Sequence, residues 1–286
     1  MTTVTPAPKT RIRLTATLTS PFHHGAGSSG NTSVLRTQEV IQADGTVARV
    51  PFLSAASIRH ALRDAIAWHT AHTLDIEDES LAKQTVDLLW TGGAVSSTGS
   101  RTDLDMMRRV RTLYPPLSLF GYAAKSDIIT GTLRASDMIL ICRENTQRLP
   151  EDLATDMRAA AFRSEEFGTR HDQATSPAGR YITIAGDIPT AQMIWDTQVI
   201  TTGASLYGEV TLTPAADHDQ YTVLLAALAL WAPDGVAHIG AKTAQGYGRA
   251  TIDGIPDEAT AALDDLTRHL EAHKGEILDL LGELGQ

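Results

Sequence analysis

Alternation of apolar and polar residues is clearest near the start of the chain. RIRLTATLTS (11–20) places every second side chain on an apolar face and is rich in β-branched residues, which predicts a strand. SPFHHGAGSSGN follows and reads as a Gly/Ser loop. RTQEVIQADGTVARVPF then reads as a hairpin, with Asp44-Gly45 as its turn. Past a capping Ser54 or Ser57, Ile58, Ala61, Leu62, Ala65 and Ile66 fall on one face of a helix.

The middle of the chain is less periodic. Residues 74–115 hold a helical piece (LAKQTVDLLW), a flexible TGGAVSSTGS and a basic MMRRVR, and read as an insertion. LFGYAAKSD (119–127) reads as a loop and GTLRASDMILIC (131–142) as a strand. Residues 144–200 look irregular, and RHDQATSPAG suggests a long mobile loop between short strands. A strand (LYGEVTLT), a helix (DQYTVLLAALALWA), the loop GAKTAQGYGR and a last strand (RATID) complete the body. Beyond it, Leu263, Leu266, Leu270, Ile277, Leu280 and Leu284 stripe an acidic amphipathic helix, docked either on the body or on a neighbouring subunit. The order of strands and helices suits a ferredoxin-like α+β sheet, without the glycine fingerprint of a doubly wound fold.

Composition narrows the classes. With 286 residues the chain can bury a substantial core, and 42% hydrophobic with 20% charged residues is ordinary for a globular protein. No apolar run is long enough to span a bilayer, and MTTVTPAPKTR lacks the apolar core of a secretion signal. The single cysteine, Cys142, forms no internal disulfide, so a cytoplasmic location is expected. The net charge of −10 argues at first against nucleic acid. Nine acids from Asp253 onward, against Arg268 and Lys274, account for −7 of it, which leaves −3 for the body. Basic patches fit within that balance.

Four stretches offer chemistry. In GAKTAQGYGR, Gly246-Tyr247-Gly248 suits either backbone amides that cradle phosphate oxygens, with Lys242 and Arg249 adding charge, or a tight turn between helix and strand. In LSAASIRHALR (53–63), a helix start carries Arg59 and Arg63 one turn apart, as an anion site or as an ordinary capped helix. His23 and His24 are adjacent, so along a strand they face opposite ways and do not share a metal; a structural or RNA-contacting role is favoured over acid–base catalysis. His171 and Asp172 lack an activated Ser or Cys context and read as part of a mobile polar loop that reaches a partner. Neither a metal site nor a cofactor is expected.

Taken in order, SPFHHGAG, VPFLSAASIRHALR, LFGYAAKSDIITGTLRASD and GAKTAQGYGR resemble the motifs of the CRISPR-associated RAMP superfamily. The likeness spans about residues 11–253, and its order and length are similar to the backbone subunit that polymerises along a guide RNA. It implies an RRM-like palm (1–253) with a helical insertion (74–115) and a protruding thumb hairpin (160–200), followed by the acidic helix of 254–286. It also implies the partners: crRNA, copies of the chain in a helical filament, other effector subunits, and target nucleic acid through the guide. Guide contacts carry over to Ser57, Arg59, Lys242, Gln245 and Tyr247, with His23 beside them; Arg36, Arg63, Arg170 and Arg249 complete the expected RNA-binding set. Ser54-Ala55-Ala56-Ser57 departs from the family's Pro-Gly-Ser-Ser, and His60 stands in place of a glycine. In the family's type III members an Asp before the paired strands supports target-RNA cleavage. Here the stretch is Arg36-Thr37-Gln38, which supplies no carboxylate, so a subunit without catalysis, closer to type IV, is expected. The alternatives are a RAMP endoribonuclease using His23 or His24 on guide precursor, a type III-like nuclease using Glu39 or Asp44, and a small-molecule enzyme with a phosphate in the glycine loop.

Overall fold

The computed structural model describes residues 11–77, 79–95, 102–170 and 193–286. Strand β1 (Arg11–Leu18) buries Ile12, Leu14, Ala16 and Leu18 and leaves Arg11 and Arg13 exposed, as its alternation predicts. The Gly/Ser stretch after it is not a loop. It forms β2 (Gly25–Ser29) and β3 (Thr32–Leu35), turned at Gly30 with φ of 60°. β4 (Thr37–Ile41) and β5 (Val47–Leu53) make the expected hairpin, and Asp44 holds its turn by accepting from the Thr46 N–H and hydroxyl.

Helix α1 (Ala55–Thr73) starts at Ser54, whose hydroxyl accepts from Ser57 N–H, and buries Ile58, Leu62 and Ile66. Within 74–115 lie α2 (Lys83–Trp90) and α3 (Leu104–Leu113), whose Leu88, Leu89 and Val110 belong to the main core. The supposed loop at 119–127 is instead the end of α4 (Pro115–Phe120) and the hairpin of β6 (Gly121–Ala124) and β7 (Asp127–Thr130). Residues 131–142 hold two short strands, β8 (Leu133–Ala135) and β9 (Met138–Leu140), rather than one. Cys142 is fully buried beyond them.

Short 3-10 turns lead to β10 (Arg163–Arg170), which pairs with β11 (Met193–Ile200) along its whole length. The span between these strands, with His171 and Asp172, lies outside the described residues. β12 (Ser205–Leu212) precedes α5 (His218–Trp231), which a capping box of Asp217 and Gln220 opens. Short β13 (Val236–His238), the glycine loop and β14 (Arg249–Asp253) follow. The acidic segment is two helices rather than one, α6 (Ala259–Ala272) and α7 (Lys274–Leu284). They dock on the body through buried Leu266, Leu270, Ile277, Leu280 and Leu284.

The main sheet runs β13-β14-β1-β12-β9-β5-β4, with β8 also on β12, and every pairing in it is antiparallel. Helices α1 and α5 share one core with the buried side chains of β1 and β12, while Arg11 and Arg13 alternate to the opposite face of β1. A second sheet, β10-β11-β3-β2, joins the long hairpin to the short one through a parallel pairing of β11 with β3. The protein is thus a mixed α+β fold. No helix among the described residues is long and apolar enough to cross a membrane.

Candidate nucleic-acid interface

Main-chain hydrogen bonds lock the glycine loop to the first loop. Ala241 N–H donates to His23 O (2.7 Å), Gly248 N–H to Pro21 O (2.7 Å) and Ile239 N–H to Gly248 O (2.8 Å). Gly240 and Gly248 have φ of 81° and 74°, and a Cβ on either would clash with a carbonyl oxygen, of His23 and Ile239 respectively. These two glycines therefore serve a tight turn and close backbone packing. Gly246 differs: its φ is 90°, but a Cβ there would meet open space. Thr243, Ala244, Gln245 and Gly246 form the exposed rim of the loop, with Arg249 exposed at its end.

Lys242 sits in the left-handed region with φ of 61°. Its ammonium donates to Ser33 Oγ (2.8 Å) on β3 and to Thr197 Oγ1 (2.7 Å) on β11. Both acceptors are neutral, and no carboxylate pairs with Lys242 among the described residues. Tyr247 stands beside Glu166 and Thr197; burial, then the Glu166 carboxylate, raises its phenol pKa above the usual value. His23 is buried and its Nδ1 bonds Gln198 O (2.8 Å). The Gln198 side chain in turn reaches Leu35 N–H and Glu165. The glycine loop, the first loop and the base of the β10–β11 hairpin thus meet in one polar node. Sequence reasoning named Lys242, Tyr247 and His23 but missed Ser33, Thr197, Glu166 and Gln198. Only Thr197, a polar residue at an inward position of β11, carried a local signal.

The other expected residues lie elsewhere. Ser57 bonds the Ser54 hydroxyl (2.9 Å), and the Ala55 N–H donates to the Asp137 carboxylate (2.8 Å). A protein carboxylate therefore already stands at the start of α1. Arg59 and Arg63 share a face but turn inward. Arg59 donates to Leu133 O (2.6 Å) and Phe120 O (2.7 Å), and Arg63 to Gly121 O (2.7 Å). Exposed Arg36 donates to Gly25 O (3.2 Å). Arg170 ends β10, and its side chain lies outside the description. His24 is buried against the edge of Phe52, with its pKa lowered by burial, then by the charges of Arg36 and His23. Glu39 pairs with Arg49 on the β4–β5 hairpin, and Asp44 holds the turn.

The class these features define is an α+β protein with a large antiparallel sheet and a second small sheet carrying a long hairpin. No protein-family model matches the chain. No curated protein matches it in sequence either. In fold it is similar to a chain of a solved structure described as "Type IV-B CRISPR Complex", with a TM-score of 0.57, 20% identity, and coverage of 85% of this chain and 89% of that one.

Proposed function

We propose that this chain is a subunit of a CRISPR effector complex, and within it the backbone subunit that stacks along a crRNA and holds it without reading its sequence. The observation that carries this reading is the fold likeness to a chain of a Type IV-B CRISPR complex over most of both chains. The order β14-β1-β12-β9, with α1 following the first strand of that set and α5 the third, fits the ferredoxin-like palm of the RAMP resemblance. The β10–β11 hairpin, with Phe167 74% exposed and Ile194 51% exposed, fits a thumb whose apolar side chains slip between bases.

In this reading the polar node is the guide-backbone contact. Lys242 brings a charge balanced by hydroxyls alone, and the exposed Gln245 and Arg249 lie beside it. Such groups recognise phosphate and ribose rather than base edges. The subunit is non-catalytic, and its partners are crRNA, further copies of itself, other effector subunits and, through the guide, a target nucleic acid. The Arg36-Thr37-Gln38 stretch on and before β4 lacks the acid of type III members, which favours a type IV-like subunit.

Co-expression with its guide locus tests the proposal. The purified protein is expected to carry a ladder of RNA fragments and to appear as stacked particles in electron micrographs. Labelled precursor and complementary target RNA are expected to stay intact. Lys242→Ala is expected to weaken binding and to reduce the salt slope by about one. Single particles without RNA, or cleavage of either RNA, would overturn it.

A further inference from the structure

A cleft of about 560 Å³ opens beside α1, between that helix and the β6–β7 hairpin, and Arg59, Arg63, Trp90, Phe120 and Ile128 line it. Its two guanidinium groups donate to carbonyl oxygens, and that of Arg63 also lies over the Phe120 ring, 5.2 Å from its centre. Neither forms an ion pair among the described residues. Two half-buried cations side by side, without a counter-charge, are costly. The strain registers on Arg63, whose pKa falls to about 10 through burial first and the charge of Arg59 second. An anion delivered from outside would relieve both.

The rim indicates what kind of molecule brings that anion. Ile128 is 75% exposed at the edge. Trp90 stacks edge-on against Trp68 (5.4 Å), itself 53% exposed. Arginine set among exposed aromatic and aliphatic side chains is the chemistry of a protein contact. A nucleic-acid backbone would call for a longer row of cations along its path; beyond the two arginines the cleft offers His60 on its wall and Arg134 at its edge, where Arg134 shares the Leu133 carbonyl with Arg59. The chain carries its own acidic counterpart. In α6 and α7 the apolar stripe is consumed inward, so the face left to a neighbour is charged. Asp264, Glu271, Glu276 and Asp279 are exposed there and unpaired among the described residues.

We propose that the Arg59–Arg63 cleft receives a carboxylate side chain from the acidic C-terminal helices of a second copy of this chain. The two patches differ, so the contact is head-to-tail and repeats from copy to copy, which is how open filaments form. The inference rests on the reading that copies stack along a guide. In it, Arg59 and Arg63 join subunits rather than touch RNA.

The test uses Arg63→Lys protein purified with its RNA from a mixture of isotope-labelled and unlabelled copies. A water-soluble carbodiimide joins an amine to a carboxylate only in direct contact. The expected product is a mixed-isotope peptide that links position 63 to an acid between residues 257 and 279. Wild-type chains combined with Asp264→Lys/Glu271→Lys/Glu276→Lys copies are expected to stack at least tenfold more weakly, with RNA binding per copy retained. Stacked complexes without that cross-link, or a link only to some other protein, would overturn the inference. So would Arg63→Glu copies that lose RNA yet still stack, which would assign the cleft to nucleic acid. Should the protein prove free of RNA, the function proposed above fails first. The cross-link is then sought in concentrated RNA-free protein, where its presence supports the contact and its absence overturns it.

Discussion

Gly248 and Gly246 stand two residues apart in left-handed backbone, yet they differ in what surrounds them. A methyl group at Gly248 would collide with the Ile239 carbonyl oxygen, whereas one at Gly246 would meet nothing. Gly246→Ala is expected to cost about 1 kcal/mol, for the backbone conformation alone. Gly248→Ala adds the clash and is expected to cost about 3 kcal/mol, read from urea melts of the two variants. His24 makes a prediction of a different kind. Burial holds its pKa below the ordinary histidine value of 6.5. Above 6.5 the ring is neutral both folded and unfolded, so it adds no pH dependence. As pH falls below 6.5, the unfolded chain takes up a proton that the folded chain refuses, and stability drops until the folded pKa is passed. The urea midpoint is expected to fall on acidification from pH 7 toward 5. His24→Leu is expected to flatten that slope without abolishing it, because the His69 pKa is lowered in the same direction, by burial and then by His72.

Among the elements, the C-terminal pair shows what periodicity reads and what it cannot. The spacing from Leu270 to Ile277 continues unbroken, so the pattern suggests one helix; the break comes at His273, whose N–H and Nδ1 both turn to His269 O. Leu270 is fully buried, and Leu270→Ala is expected to cost about 2–5 kcal/mol in a denaturant melt. β1 and β14 were readable from their alternation, α1 from its period and serine cap, and α5 from its capping box and the apolar run behind it. β2 and β3 were not: Gly and Ser give no alternation, and the pairing that steadies β3 comes from β11, over 160 residues away. The polar node divides the same way. Lys242, Tyr247 and His23 announce themselves through local motifs, but Ser33, Thr197 and Gln198 become site residues only once the second sheet has formed. For Arg59 and Arg63 the helical spacing shows the shared face, while the carbonyls that claim them belong to α4, β6 and β8.

At the scale of the molecule, charge and architecture divide the labour. The body carries −3 and holds both arginine cleft and lysine node, while the −7 segment folds against it with its acids outward. The hairpin of β10 and β11 roots in the small sheet, and Lys242 ties that sheet to the glycine loop ahead of β14 in the large one. A load on the hairpin therefore reaches the large sheet through side-chain hydroxyls as well as through the backbone. Cys142 has a practical consequence of its own. Its sulfur is sealed in the core and burial pushes its pKa up to about 12, so at neutral pH it is neither a thiolate nor reachable. With no other cysteine in the chain, the native surface is silent to maleimide dyes. Fluorophores can be seated one at a time on the hairpin or the acidic helices, and the proposed stacking of copies tested by energy transfer without first stripping out a background thiol.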